Sequence, residues 1–128
     1  MTEQRDTIVL EIRTYRLRSG GGERFHQIFR EQAVPMLRRY GITVVDFGPS
    51  LVNEEDEPGE GYFLMRAFPS LEQREALEGA FYGSDEWRQG PRPEVLSLIE
   101  NYHTTVISMP AAAVPALTHE SLRVGAST

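Results

Sequence analysis

The sequence changes its hydrophobic period at a run of three glycines, residues 20–22. Before this run, residues 8–17 alternate with period two and are rich in Ile, Val, Thr and Tyr, which predicts a strand. After it, apolar residues recur every three or four positions over about 23–40, which predicts a helix. Pro35 is expected to kink this helix because proline lacks a backbone donor, and Gly41 is expected to end it.

The rest of the chain predicts three more strands and a second helical region. Apolar and β-branched runs over 42–52, 61–68 and 101–109 indicate the strands. A capping box that starts at Ser70 should begin a helix running to about Phe81. The order β-α-β-β-α-β predicts an α+β, ferredoxin-like fold with a four-stranded antiparallel sheet.

Short helical pieces should separate the long second helix from the last strand. Ser84 and Pro93 are suited to begin them, because serine caps a helix and proline is favoured in its first turn. We expect one domain over residues 1–109. Residues 110–128 are rich in Ala and Pro without periodicity, which predicts a C-terminal tail outside the domain core.

Alternation along the first strand separates its side chains into two sets. Ile8, Leu10 and Ile12 share one face, and Glu11, Arg13 and Tyr15 share the other. Helices can cover only one face of such a sheet, while aromatic residues such as Tyr62 and Phe68 also need cover on the face of Tyr15. We therefore expect a homodimer in which a second copy covers the face of Glu11, Arg13 and Tyr15.

Composition excludes several classes of function. The chain has no cysteine and all its basic residues are arginine, which removes thiol nucleophiles, Schiff bases and lysine-dependent phosphate loops. We therefore predict no cofactor. A net charge of −6 argues against a nucleic-acid partner, and the acidic run 54–57 is typical of a solvated loop. The polar start and the lack of a long apolar run predict a cytoplasmic protein without a membrane partner.

Three segments carry a resemblance to a known family. Residues 11–29, EIRTYRLRSGGGERFHQIF, are similar to the opening of NIPSNAP domains. Residues 63–77, FLMRAFPSLEQREAL, resemble the third strand and following helix of that family, and residues 84–87 resemble its acidic turn before a tryptophan. The resemblance spans about 8–109 and implies a dimeric α+β barrel built from two sheets. The wider barrel group includes cofactor-free monooxygenases, haem-degrading enzymes and isomerases, but kinship of fold transfers none of these activities.

Four polar rings are predicted to meet at one end of the sheet. In the ferredoxin-like order the first strand lies between the third and fourth, so Tyr15, Tyr62 and His103 fall at the same end. His26 follows in the first turns of the next helix. We hypothesise that His26 is a proton-transferring base and that Tyr15 or Tyr62 orients an oxygen. The alternative is that these four rings only border the core.

Arginine and tryptophan side chains complete the set of candidate substrate-binding residues: Arg13, Arg66, Trp87 and His103. Arg13 or Arg66 would anchor a substrate carboxylate. The preferred alternative is an ion pair of these arginines with Glu11 at the dimer interface, because arginine suits buried bidentate pairing. Trp87 is expected to form part of the core or the wall of a pocket.

Two classes of function remain open. One is a small-molecule binder or enzyme that works by proton transfer or cofactor-free oxygen chemistry, and the other is a non-catalytic dimeric protein-interaction module. A roomy pocket that holds His26 or Tyr62 would favour the first, and a packed interior with an exposed apolar patch would favour the second. Haem or metal binding by His26, His103 or His119 is a further option. No carboxylate lies at metal-ligand spacing beside them, so we predict no metal site.

Overall fold

The computed structural model describes residues 6–52 and 59–118, which form one four-stranded antiparallel sheet with helices. Its strands are β1 (Thr7–Leu17), β2 (Thr43–Pro49), β3 (Glu60–Phe68) and β4 (Ile99–Pro110). The spatial order is β2-β3-β1-β4, so β1 lies between β3 and β4 as the ferredoxin-like order requires. The predicted α+β class and strand order are confirmed. The acidic run 54–57 and His119 lie outside the described residues.

Polar caps fix the starts of the helices that follow β3. The helices of the described residues are α1 (Gly22–Ile28), α2 (Val34–Arg39), α3 (Leu71–Tyr82), α4 (Asp85–Gln89), α5 (Arg92–Leu98) and α6 (Ala113–Leu117). At the start of α3 the Ser70 hydroxyl accepts the N–H of Gln73 at 3.1 Å, and at the start of α4 the Ser84 hydroxyl accepts that of Trp87 at 3.1 Å. These are the caps that the sequence predicts.

The disturbance expected at Pro35 takes the form of a wider helical turn before it. Residues Phe29–Ala33 form a π-helical turn between α1 and α2, in which the N–H of Val34 donates to the carbonyl of Phe29. Pro35 lies in the first turn of α2, where its ring would crowd the preceding turn of a regular helix. The wider turn accommodates this crowding and keeps α1 and α2 in one continuous helical segment.

The helices cover the sheet face opposite to the one expected. The side chains of Glu11, Arg13 and Tyr15 lie beneath them, together with aromatic residues such as Phe25. The expectation that a second copy covers this face is therefore wrong. Most of the aromatic volume of the sheet lies on this face, and Arg74 of α3 supplies a partner for Glu11, so charged strand residues are accommodated under a helix.

The opposite sheet face is apolar and only partly covered. Its centre contains Leu10, Val45 and Ala67, bordered by the partly buried side chains Ile8, Ile12, Met65 and Met109. Val114 of α6 packs against this cluster, so the first part of the predicted tail contacts the sheet of its own chain through a short helix. Ile107 on β4 remains 39% exposed on this face.

Replacing Leu64 tests which residues form the buried layer. Leu64 is only 1% exposed, so Leu64→Ala should lower the free energy of unfolding by about 2–5 kcal/mol. Leu71→Ala is the matched control, because Leu71 is 59% exposed at the start of α3 and its loss should cost under about 0.5 kcal/mol. Urea denaturation followed by circular dichroism measures both. Equal losses in the two variants would contradict the burial of Leu64.

Candidate functional site

A cavity of about 200 Å³ lies between the sheet and the helices. Six aromatic side chains contribute to its wall: Tyr15, Phe29, Phe81, Tyr82, Trp87 and Tyr102. Aliphatic residues from β3, β4, α2 and α5 complete the apolar lining. The charged residues of the lining are Arg13 and Arg92, and no carboxylate is among its members. The cavity therefore suits an apolar body that carries a polar or negative group.

Arg13 projects from β1 into this wall and is held in place from two sides. Its Nε donates to the Thr104 hydroxyl at 2.9 Å, and its guanidinium carbon lies 4.6 Å from the ring centroid of Tyr102. Its side chain is only 14% exposed. Burial opposes the charge, but Tyr82, Tyr15 and Glu11 together raise the pKa of Arg13 above its ordinary value. The cavity wall therefore carries a fixed cation.

Beneath α3, a cluster of ion pairs lies next to this cation. Arg66 and Glu11 face each other on β3 and β1 with 0% exposure, and the Nη2 of Arg66 donates to Oε2 of Glu11. Arg74 Nε donates to the other oxygen of Glu11 at 2.8 Å. Glu78 approaches the Nη2 of Arg66 at 3.2 Å. The cluster thus joins β1 and β3 to α3 through charge-assisted contacts.

The two carboxyl groups of this cluster have opposite pKa shifts. Burial works against the charge of Glu11, but a hydrogen bond with Glu78 and the charge of Arg66 lower its pKa below the ordinary value. Burial, reinforced by the hydrogen bond with Glu11, raises the pKa of Glu78 to about 7. Two carboxyl groups that share partners ionise less readily together than apart. Glu78 is therefore the member that holds a proton at mildly acidic pH.

Tyr82 connects the ion cluster to the cavity. Its hydroxyl accepts an N–H of Arg66 at 2.8 Å and lies 3.4 Å from Nη1 of Arg13, while its ring lines the cavity. The sequence hypotheses did not include Tyr82 or Glu78. A signal was available, because Arg74, Glu78 and Tyr82 are spaced four apart and share one face of α3.

Tyr15, one of the predicted catalytic residues, lines the cavity. Its side chain is 8% exposed and packs on Phe25 and Phe29, with ring centroids 5.2 and 5.7 Å away. Burial first, and then Tyr82, raise the pKa of Tyr15 well above its ordinary value. Its hydroxyl therefore stays protonated over the physiological range and is suited to donate a hydrogen bond.

Two of the predicted catalytic residues, His26 and Tyr62, are in direct contact with each other, but outside the cavity. His26 Nδ1 lies 2.6 Å from the Tyr62 hydroxyl, and Tyr62 is 1% exposed. His26 is half-buried and borders an open groove of about 580 Å³ beside β2, together with Asp46 and Phe47. The ring of Tyr62 lies 6.3 Å from that of Tyr15, so it separates His26 from the cavity wall.

The other predicted site residues occupy three different environments. Trp87 is 6% exposed and lines the cavity, as expected for a pocket wall. Arg66 is fully buried in the ion cluster and does not line the cavity. His103 pairs with Thr14 in the register of β4, which places its exposed side chain on the opposite sheet face. The register therefore separates His103 from the three other rings with which it was grouped.

Within residues 6–52 and 59–118, no group of three or more His, Cys, Asp or Glu side chains is arranged to hold a metal ion. No helix in that part of the chain is long and apolar enough to cross a membrane. His119 lies beyond these residues, and the absence of a metal site stays a prediction.

Comparison with known proteins confirms the family resemblance. The NIPSNAP family model matches residues 10–113, which is most of the chain. No curated protein matches the chain significantly.

Solved structures share the fold at low sequence identity. A NIPSNAP family protein with unknown function from Agrobacterium tumefaciens is 20% identical, covers 80% of this chain and 88% of its own, and superposes with a TM-score of 0.67. An uncharacterized NIPSNAP domain protein from Burkholderia xenovorans is 17% identical over 81% and 95% of the two chains, with a TM-score of 0.68. A DabB family protein with a ferredoxin-like fold from Mesorhizobium loti is 11% identical over 79% and 95%, with a TM-score of 0.55. These likenesses concern the fold.

The raised pKa of Glu78 predicts a specific pH dependence of stability. A carboxyl group whose pKa is higher in the folded state binds its proton more tightly there, so its stabilising contribution is complete at low pH and is lost as pH rises through about 7. When the pH is raised from about 5 to about 8, the unfolding free energy of the wild type should fall by roughly 1–3 kcal/mol more than that of Glu78→Gln. Urea denaturation at both pH values measures this. Glu75→Gln changes an exposed residue of the same helix and should keep the wild-type dependence of stability on pH. If the stability of Glu78→Gln changed with pH as much as that of the wild type, the raised pKa of Glu78 would be contradicted.

Proposed function

Because the chain belongs to the NIPSNAP family and has a cavity between its sheet and helices, we propose that it binds a small organic molecule in that cavity. The observation that carries the proposal is the cavity itself, apolar in most of its wall and supplied with a few converging polar groups. Arg13, Tyr15 and Tyr82 are those groups. Concave apolar sites with a small number of placed polar groups are typical of ligand pockets.

Size and access support this assignment. Leu96 and Tyr102 in the lining are 45% and 54% exposed, so the cavity of about 200 Å³ opens to solvent and a ligand can enter it. An apolar cavity of about 150 Å³ is large enough for benzene. The cavity therefore suits a molecule with one ring or a body of similar size.

The same polar groups favour chemistry that forms a negative oxygen. Arg13 supplies a permanent positive charge, and Tyr15 supplies a protonated hydroxyl in a buried setting. Proton transfer, or oxygen chemistry without a cofactor, would pass through such an oxyanion. In this proposal Tyr15 orients the oxygen. His26, proposed as base, lies behind Tyr62 and borders the outer groove, so it does not reach a ligand in the cavity and would act only on one bound in the groove.

The partly covered sheet face supports a second proposal, that two copies of the chain pair through it. Its apolar centre, formed by Leu10, Val45 and Ala67, is bordered by apolar side chains such as Ile12 and Ile107. Contiguous apolar surface on one side of a sheet is a common mark of a protein interface. A self-complementary pairing related by a two-fold axis is the simplest way to cover it. The homodimer is thus proposed again, through the face opposite to the one that the sequence indicated.

Filling the cavity tests the binding proposal without changing a polar group. Ala33 lines the cavity and is 2% exposed, so Ala33→Leu should occupy the space and abolish binding of one-ring compounds. Toluene and indole titrations followed by nuclear magnetic resonance measure binding. Ala80→Leu, on the exposed side of α3, is the control and should bind as the wild type does. Undiminished binding in a folded Ala33→Leu protein would place the ligand elsewhere.

Light scattering after size exclusion tests the pairing of two copies. At micromolar concentration the wild type should have about twice the monomer mass. Ile107→Glu places a charge on the apolar face and should shift the protein towards the monomer, because an unpaired charge is costly to bury. Gln27→Glu on α1 adds the same charge on the helical side and should leave the mass unchanged. A wild-type monomer at these concentrations would refute the pairing.

A further inference from the structure

The charge of the cavity lining contrasts with that of the whole chain. The chain has a net charge of −6, yet two arginines and no acidic residue line the cavity. This inference rests on the proposed function. We propose that the ligand is a small organic anion about the size of one ring. Its carboxylate, enolate or phenolate oxygen binds Arg13.

The ion cluster beneath α3 gives Arg13 only a long ion-pair contact to a carboxylate that two other arginines share. Three guanidinium groups, those of Arg13, Arg66 and Arg74, face two carboxyl groups. Both oxygens of Glu11 are engaged by Arg66 and Arg74, and its distance to Arg13 Nη2 is 3.6 Å, beyond hydrogen-bond range. The cation in excess is therefore the one at the cavity, where a bound anion would balance it.

Hydrogen-bond donors converge at the same place. Arg13 is fixed through its Nε on Thr104, while its Nη1 lies 3.4 Å from the Tyr82 hydroxyl and its Nη2 lies 3.6 Å from a Glu11 oxygen. Guanidinium groups present paired donors that match the two oxygens of a carboxylate. The Tyr82 hydroxyl accepts from Arg66, so its own hydrogen is left to donate to a ligand oxygen. These donors favour an anionic oxygen over a neutral carbonyl.

The rest of the cavity wall favours an apolar ligand about the size of one ring. Phe81 and Trp87 pack in a tilted arrangement with ring centroids 5.0 Å apart, and Leu64 borders the same space from β3. Flat hydrophobic surfaces of this kind favour aromatic or alicyclic groups over strongly hydrated ones. Small inorganic anions would bind the cation but leave the apolar space unfilled.

The test compares benzoate with benzamide, which has a similar shape but no charge. Trp87 is the only tryptophan of the chain and lines the cavity, so its fluorescence reports occupancy. With the full-length protein near neutral pH, benzoate should bind at least about tenfold more tightly than benzamide. Arg13→Gln should remove this preference, because it should weaken benzoate binding far more than benzamide binding. Arg24→Gln, which removes an exposed arginine paired with Glu94, should keep the preference.

The outcomes separate the anion assignment from the proposed function. Equal binding of the two compounds, or tighter binding of benzamide, would overturn the anion assignment and leave small-molecule binding in place. Preference retained in folded Arg13→Gln would overturn the role of Arg13. Failure of benzoate, benzamide and toluene all to bind would overturn both proposals. If Arg13→Gln does not fold by circular dichroism, the wild-type comparison and Arg13→Lys, which keeps the charge and should keep the preference, decide the question.

Discussion

A carboxylate and a guanidinium, Glu11 and Arg66, meet on the two central strands with 0% exposure, and the helical layer is arranged around this contact. Burying two charges carries a large desolvation cost, which is offset only when their remaining hydrogen-bonding groups find partners. Helix α3 brings most of these partners, since Arg74 and Glu78 reach the pair from one helical face and Tyr82 follows one turn later, whereas Nε of Arg66 has no hydrogen-bond partner among the described residues. The position of α3 over β1 and β3 is thus tied to the chemistry of the pair, in addition to the packing of apolar side chains.

The same contact determines where the cavity lies and what it can hold. Tyr82 ends α3 with its hydroxyl on Arg66 and its ring in the cavity wall, and Arg13 stands two residues from Glu11 on the same face of β1. The cavity therefore begins where the ion cluster ends. Apolar residues of the π-helical turn, α4 and α5 enclose the remaining space. The result is an apolar cavity with the cation Arg13 held at its edge. This arrangement is the basis for assigning an anionic ligand.

Local signals in the sequence were sufficient for the element order and much less so for the sheet faces. Hydrophobic periods and the serine caps at Ser70 and Ser84 depend on neighbouring residues, so they predict the helices and strands well. The face covered by helices depends on partners distant in the chain. From the sequence alone, Glu11 and Arg13 suggested a dimer interface. The structure shows that Arg74 of α3, which is far away in the chain, donates a hydrogen bond to Glu11. Likewise Tyr15 and Trp87 were placed at a pocket, whereas the register of β4 put His103 on the other face.

A crystal structure of the full-length protein grown with benzoate would test the central claim most directly. Electron density for the ring is expected against the cavity-lining faces of Phe81 and Trp87, with a carboxylate oxygen within hydrogen-bond distance of an Nη atom of Arg13. Glu11 is expected to remain paired with Arg66 and not to turn towards Arg13. Benzoate bound only in the groove beside His26, or an empty cavity closed by movement of the surrounding side chains, would contradict the account.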